Sequence, residues 1–359
     1  MFEIDDLKTY YHTHEGDVHA VDGVSFELDR KETLGLVGES GCGKTTLAKS
    51  IIRLLPKNGE IVDGSVELNG VEITDLSNEE LRRQIRWAEI SMIPQNAMNG
   101  FDPVKTVGKQ IVNVIRRHEK NTSKKEARER ARELFDTLGI EPGRVDSYPH
   151  QFSGGMAQRA MIAMALALTP SMILADEPTT ALDVMIQDRI LRQLKDLQDE
   201  FDTAIIMITH DMSVVSENCD RIAVMYGGRV VEYADTETIL KEPRHPYTLG
   251  MRNAFPDISK DDQELISIPG NPPDLVDPEE GCRFAPRCPF AEDVCWDETP
   301  EPEDYDGQIV ECHRADEAEY LREEAMKPEI WEGVRDQSRE QRVEELGGSA
   351  VEATGDNDD

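Results

Sequence analysis

Residues 32–55 read ETLGLVGESGCGKTTLAKSIIRLL. This is an apolar strand, a glycine-rich turn and an amphipathic helix in succession. Inside it, GESGCGKT (38–45) fits G-x-x-x-x-G-K-[ST] in the strand–loop–helix setting that gives the pattern its meaning. Gly38, Gly41 and Gly43 leave the backbone free, so that Glu39, Ser40 and Cys42 can turn N–H groups toward phosphate. The following helix aims the positive end of its dipole at the same point. Lys44 is placed to reach the β and γ phosphates, and Thr45 offers a hydroxyl to Mg²⁺; Thr46 completes the run. Cys42 reads as a small filler, or as an accessible thiol whose alkylation would block the nucleotide. The motif predicts an α/β fold around a phosphate loop.

Further along, SMILADEPTTALD (171–183) is an apolar strand ending in two acids. Asp176 at the strand end can hold Mg²⁺ through water. Glu177 is close enough to orient or deprotonate an attacking water. DTAIIMITHDM (202–212) is another apolar strand, and it ends in His210. Ligands collect at the carboxyl edge of open α/β sheets, so His210 is placed to touch the γ-phosphate. In YPHQFSGGMAQRAMIAMALAL (148–168), Ser153, Gly154 and Gly155 precede a long apolar helix. A hydroxyl and two bare N–H groups at a helix start make a second anion site. Two chains facing head-to-tail would use it, each turn capping the nucleotide held by the other.

Composition narrows the function. The 359 residues are 38% hydrophobic, enough for a real core, and carry 39 basic against 73 acidic side chains, a net charge of −34. That balance argues against a nucleic-acid binder, which presents a basic face. Self-repulsion of this size is screened at high salt, so the acidity reads as adaptation to a salt-rich cytoplasm. MFEIDDLKTY has neither the basic start nor the apolar run of a signal peptide. The most apolar stretch, 160–175, is broken by Pro170 and falls short of the roughly 20 residues a membrane span needs. A cytosolic chain is expected, reaching a membrane only through a partner.

In this order the motifs resemble the ATP-binding subunits of ABC transporters. GESGCGKT resembles their phosphate loop, FSGGM their signature turn and MILADE their metal-and-base strand. By the same resemblance ALD (181–183), with Asp183, is a dimer-contact loop. It makes Gln95, in SMIPQN, the glutamine that senses the γ-phosphate, shares Mg²⁺ with Thr45 and Asp176, and meets the transmembrane partner. It also makes Tyr11 the aromatic that stacks on adenine, with Tyr10 the rival. The finer resemblance is to the D-type subunit of oligopeptide and dipeptide importers, carried by FSGGMAQRAMIAMALAL with its Met156, by ADEPTTALDVMIQDRI, and by RHPYTLGM, SIPGNPPDL and GCRFAPRCPF after the core. It implies ATP hydrolysis coupled to peptide import. The implied partners are two transmembrane permease subunits, an F-type second cassette in preference to a homodimer, and an extracellular solute-binding protein. The chain would then lie at the cytoplasmic face of the cell membrane. Importers of nickel, haem or sugars use similar subunits. The rival class is a soluble ABC ATPase acting on DNA or ribosomes, which would carry two cassettes, a coiled-coil insertion or basic arms.

The organisation expected is an ATPase core over residues 1–240 with a mostly helical subdomain near 96–165. Residues 221–234 read as a hairpin turning on Gly227–Gly228. A proline-rich extension over 241–320 is expected to bury little apolar surface of its own, and an acidic tail covers 321–359, with a helix possible over 321–345 and disorder at its end. The extension holds Cys282, Cys288, Cys295 and Cys312, spaced C-x5-C-x6-C-x16-C. A reducing compartment disfavours disulfides. Structural zinc sites pair cysteines two to four residues apart, and no such pair occurs here; His313 is a further possible ligand. Irregularly spaced thiolates can hold a [4Fe–4S] cluster, and the resemblance implies one, with zinc the alternative.

Overall fold

The computed structural model describes residues 1–95, 97–179, 184–254, 267–332 and 334. Two sheets organise it. The strands are β1 (Phe2–His12), β2 (Asp17–Leu28), β3 (Thr33–Val37), β4 (Gly59–Leu68), β5 (Val71–Glu72), β6 (Ile90–Ile93), β7 (Met172–Asp176), β8 (Ala204–Ile208), β9 (Arg221–Tyr226), β10 (Arg229–Asp235), β11 (Glu303–Tyr305) and β12 (Gln308–Val310). An antiparallel sheet runs β2-β1-β4-β5, and a larger one runs β11-β12-β10-β9-β3-β8-β7-β6. Within the larger sheet β9, β3, β8, β7 and β6 are parallel. Strands β3, β7 and β8 are buried at every position. Their sequences TLGLV, MILAD and AIIMI accordingly run apolar without the alternation of a half-exposed strand. Parallel pairing sends all their carboxyl ends to one edge, where the functional residues sit.

The helices that matter are α1 (Lys44–Ile51), α2 (Val107–His118), α3 (Lys124–Thr137), α4 (Gly154–Ala165) and α5 (Val184–Phe201). The start of α3 is a capping box: Ser123 accepts from the Glu126 N–H while Glu126 reaches back to the Ser123 N–H. Helices α2, α3 and α4 pack on one another through Ile111, Ile115, Ala131, Phe135, Ala160 and Met161, all buried. The hairpin β9–β10 turns on Gly227 and Gly228 at φ +56° and +85°, the left-handed pair a two-residue hairpin needs.

The segment beyond residue 240 differs from the expectation. Its Phe284, Leu321 and Trp331 are buried in the same apolar cluster as Val37 and Ile93 of the parallel sheet. It also extends that sheet, since β12 pairs with β10. Proline and the absence of periodicity hid this, because its apolar side chains are buried against the cassette and against residues far from them in the sequence. Residues 318–324 and 328–332 form two short helices; the remainder of the tail, including the disorder expected at its end, lies outside the described residues. So do Ala181, Leu182 and Asp183. Among the described residues no helix is long and apolar enough to cross a membrane.

Candidate active site

The loop after β3 passes into α1 through three left-handed glycines, Gly38 (φ +152°), Gly41 (+85°) and Gly43 (+107°). Gly43 has no room for a side chain: a Cβ there would lie 2.0 Å from the Ala20 carbonyl oxygen. Lys44 is buried and its Nζ donates to the carbonyls of Gly38 and Glu39, both at 2.7 Å. These contacts fold the ammonium back over its own loop. The Thr45 hydroxyl donates to Asp176 Oδ1 at 3.3 Å, joining the start of α1 to the end of β7. Burial raises the proton affinity of Asp176 and the charge of Glu177 adds to this, against the bond from Thr45. A cation beside this hydroxyl and carboxylate would offset that repulsion, so the donor set fits Mg²⁺.

Glu177 follows Asp176 at φ +46°, a left-handed conformation for a residue with a long side chain. Its N–H donates to the Ile208 carbonyl at the end of β8, at 2.9 Å. The turn aims the carboxylate between two partners from neighbouring strand ends. Gln95 Nε2, beyond β6, donates to Oε2 at 2.6 Å, and His210 Nδ1, beyond β8, lies 3.3 Å from Oε1. Four separate strand ends thus deliver the loop lysine, the two acids, the glutamine and the histidine to one edge.

They border a cleft of about 810 Å³, within the range of small-molecule sites. Of the residues expected at the site, Tyr11, Ser40, Gly41, Gly43, Lys44, Thr45, Thr46, Gln95, Glu177 and His210 line it. Gly38, Glu39, Cys42 and Asp176 are not among the lining residues; Cys42 is buried at 3% exposure, with its thiol 3.5 Å from Lys44 Nζ. An accessible thiol at Cys42 is therefore ruled out, and the filler reading holds. Tyr11 reaches Thr46 Oγ1 with its hydroxyl at 3.1 Å. Tyr10 faces elsewhere, stacked on His19 and bonded to Asp22 at 2.7 Å. Ser153 and Gly154 are exposed at the start of α4 and do not line this cleft; the Ser153 hydroxyl caps the helix by accepting the Met156 N–H.

Sequence reasoning missed Leu275, which lines the cleft beside Val18 and Ala20. Its carbonyl accepts the His19 N–H at 2.8 Å, and Val276 bridges Val18 in antiparallel fashion. The extension thus adds a wall to the site.

None of Cys282, Cys288, Cys295 and Cys312 is in a disulfide. The Cys282 N–H donates to the Cys295 carbonyl at 2.7 Å. Burial raises the Cys288 thiol well above its ordinary range, and the charges of Cys282, Cys312 and Cys295 raise it further. Burial likewise pushes Cys282 up to about 11 and Cys312 up to about 12. His313 Nε2 lies 2.8 Å from the Glu298 carbonyl. Among the described residues no group of three or more His, Cys, Asp or Glu could hold a metal ion.

Two family matches divide the chain: residues 21–180 match the ABC transporter family, and 231–295 match the oligopeptide/dipeptide transporter C-terminal region. The oligopeptide transport ATP-binding protein OppD of Escherichia coli is 44% identical over 88% of this chain and 93% of its own length. This chain belongs to the ATP-binding subunits of the oligopeptide and dipeptide ABC transporters. The dipeptide transport ATP-binding protein DppD of Lactococcus lactis is likewise 44% identical, over 84% of this chain and 86% of its own length. The oligopeptide transport ATP-binding protein AppD of Bacillus subtilis is 46% identical, over 84% and 92%. Among solved structures, the post-hydrolysis dimer of the ATP-binding cassette MJ0796 bound to ADP and Pi aligns with a TM-score of 0.60 at 29% identity. It covers 66% of this chain and 99% of that cassette. The cbiO1 subunit from Clostridium perfringens aligns at 0.58 and 26% identity, covering 70% and 94%. An ABC ATPase core of this family binds ATP with Mg²⁺.

Proposed function

We propose that this subunit hydrolyses ATP to power import of oligopeptides or dipeptides. One observation carries the reading: Glu177 is held between Gln95 and His210 at the mouth of a phosphate-loop cleft. Lys44 and the N–H groups of the loop bind the β and γ phosphates, and Thr45, Asp176 and Gln95 hold Mg²⁺. Glu177 takes the proton of the attacking water and His210 positions that water against the γ-phosphate; positioning and charge stabilisation supply the rest. Tyr11 stacks on the base. Ser153 and Gly154 are exposed, and neither they nor the buried Gly155 line this chain's own cleft, which suits a turn that caps the nucleotide of a facing cassette, with Asp183 in the contact loop. The second cassette is an F-type chain in preference to a copy of this one.

The route to the membrane is a groove of about 460 Å³ between the end of α1, β6 and α2, lined by Ile52, Trp87, Met92 and Val114 and bordered by Arg82, Arg86 and Arg117. A cationic rim on a chain of net charge −34 fits one occupant, a short helix of a permease subunit carrying an acidic side chain. The chain then works at the cytoplasmic face, and a solute-binding protein delivers the peptide from outside. Reconstitution with the permease subunits in vesicles tests this: ATP-driven peptide uptake is expected. Uptake of nickel, haem or sugar but not peptide, or co-purification with ribosomes or DNA instead of permeases, overturns it.

The four cysteines support a [4Fe–4S] cluster by their chemistry: burial raises the pKa of Cys282, Cys288 and Cys312, and neighbouring cysteines of the set raise each of them further. Bound there, the cluster would supply a structural cross-link between these segments. Iron and sulfide analysis after anaerobic purification decides this; a colourless protein with one equivalent of zinc reverses the assignment. The acid excess supports a salt-rich cytoplasm, and stability should then rise as KCl approaches molar concentration.

A further inference from the structure

Glu39, the second residue of the phosphate loop, is held at three points. Its N–H donates to the Tyr247 hydroxyl at 3.0 Å, and its carbonyl accepts Lys44 Nζ at 2.7 Å. Its carboxylate is gripped by both terminal nitrogens of Arg287, at 2.7 and 2.9 Å. Arg287 lies 248 residues away in the sequence, between Cys282 and Cys288, and is 3% exposed. Two further donors are also fixed: Nε bonds the Pro269 carbonyl at 2.7 Å and Nη1 lies 3.2 Å from the Tyr226 hydroxyl. Tyr226, Tyr247 and Phe284 pack as an aromatic cluster beneath it, with ring centroids 4.5 to 5.4 Å apart. Arg283 secures the same loop by pairing with Asp22 and donating to the Gly227 carbonyl. The cysteine-bearing loop is therefore stapled onto the cassette at the residue that accepts the catalytic lysine.

We propose that Arg287 is a positioning residue for nucleotide binding: it fixes Glu39, and through it the Lys44 ammonium, so that the extension sets the phosphate affinity of the cassette. A planar guanidinium with four of its five donors engaged holds a carboxylate in one orientation, which a flexible ammonium cannot do. The aromatic cluster fixes the other end of the same residue. This rests on the reading of the cleft as the nucleotide site.

The test is calorimetric titration of the full chain with Mg²⁺–ADP. Arg287→Met is expected to weaken binding by about 10- to 100-fold, and Arg287→Lys by an intermediate amount because it keeps the charge but loses the fork. Glu39→Gln should weaken binding comparably. The double variant Glu39→Gln/Arg287→Met should bind no worse than the weaker single variant, since the two residues act as one unit. A merely structural role would give additive losses that follow the fall in Tm. If Arg287→Met does not fold, Arg287→Lys and Glu39→Gln carry the test. Wild-type affinity in folded variants, or additive losses, overturns the proposal. Lys44→Ala, run alongside, separates the two readings: if it binds Mg²⁺–ADP normally, the nucleotide site itself is wrongly placed.

Discussion

Replacing Glu177 by glutamine removes one charge and one base while keeping the shape of the side chain. The amide has a single orientation available, because Gln95 Nε2 donates to the position of Oε2 at 2.6 Å. Its oxygen must stay there, and its NH₂ then faces His210. Binding should survive. Burial raises the proton affinity of Asp176 and the Glu177 charge raises it further, so removing that charge leaves Asp176 more readily ionised for Mg²⁺. Turnover should fall by about 10²- to 10⁴-fold, the usual contribution of a general base, or about 3–5 kcal/mol of barrier. A second variant separates chemistry from folding. Glu177 stands at φ +46°, which costs a non-glycine residue roughly 1–2 kcal/mol. Glutamine inherits that cost. Glycine removes it but adds about 0.5–1 kcal/mol of unfolded-chain entropy. The net gain is about 0–1.5 kcal/mol, so Glu177→Gly should melt no lower than wild type and up to about 4 °C above it while hydrolysing no faster than Glu177→Gln. ATPase rates of the assembled transporter, nucleotide titration and thermal melts check the three statements. Wild-type turnover in Glu177→Gln, or ATP affinity falling in step with turnover, would refute the assignment of the base.

The glycines of the loop predict a graded response. Gly43→Ala places a Cβ 2.0 Å from the Ala20 carbonyl and should abolish detectable nucleotide binding in a folded protein. Gly41→Ala meets nothing within 4 Å and pays only its positive φ, a loss of about 10-fold in titration. Tyr11→Ala should weaken ATP by about 5- to 150-fold, the value of one base–aromatic stack, whereas Tyr10→Phe, which loses only its bond to Asp22, should titrate like wild type. His245 is buried, accepts the Tyr247 N–H at Nδ1, and is held by burial at a pKa of about 3. An ordinary histidine in the unfolded chain takes its proton near pH 6.5, so stability is present above that pH and is lost as pH falls toward 3, by up to about 1.4 kcal/mol per pH unit. Urea denaturation between pH 7 and 4 should show a shallower fall for His245→Gln; parallel curves would refute this. Glu232, whose pKa burial raises, contributes with the opposite sign in both chains and cancels in the comparison.

The phosphate loop, the acidic strand end and His210 were legible because each motif is local: its residues are neighbours in sequence and the flanking apolar runs announce the strands. Tyr11 against Tyr10 was not decidable from alternation. Strand β1 has register shifts after Ile4, after Leu7 and between Thr9 and Tyr10, and each shift resets which face a residue takes. Leu275 and Arg287 reach the site from the far end of the chain, and no period or spacing near residues 38–45 points to them. The extension read as weakly structured because its apolar residues are covered by the cassette. Cys42 could be read two ways because the sequence shows that it is in the loop but not that its side chain turns inward.

The pairing of β12 with β10 has a consequence for anyone who trims this protein. Glu232↔Val310 and Tyr233↔Ile309 cover what would otherwise be the bare β10 edge of a six-stranded sheet. Gln308 also donates to the buried Glu232 carboxylate at 2.6 Å. Cutting the chain near residue 240 would uncover a row of unpaired amides, a template for strand-to-strand aggregation, and would strip that acid of its Arg244, His245 and Gln308 donors. The smallest soluble cassette is thus set by sheet closure and extends through β12, even though every phosphate-binding motif ends a hundred residues earlier.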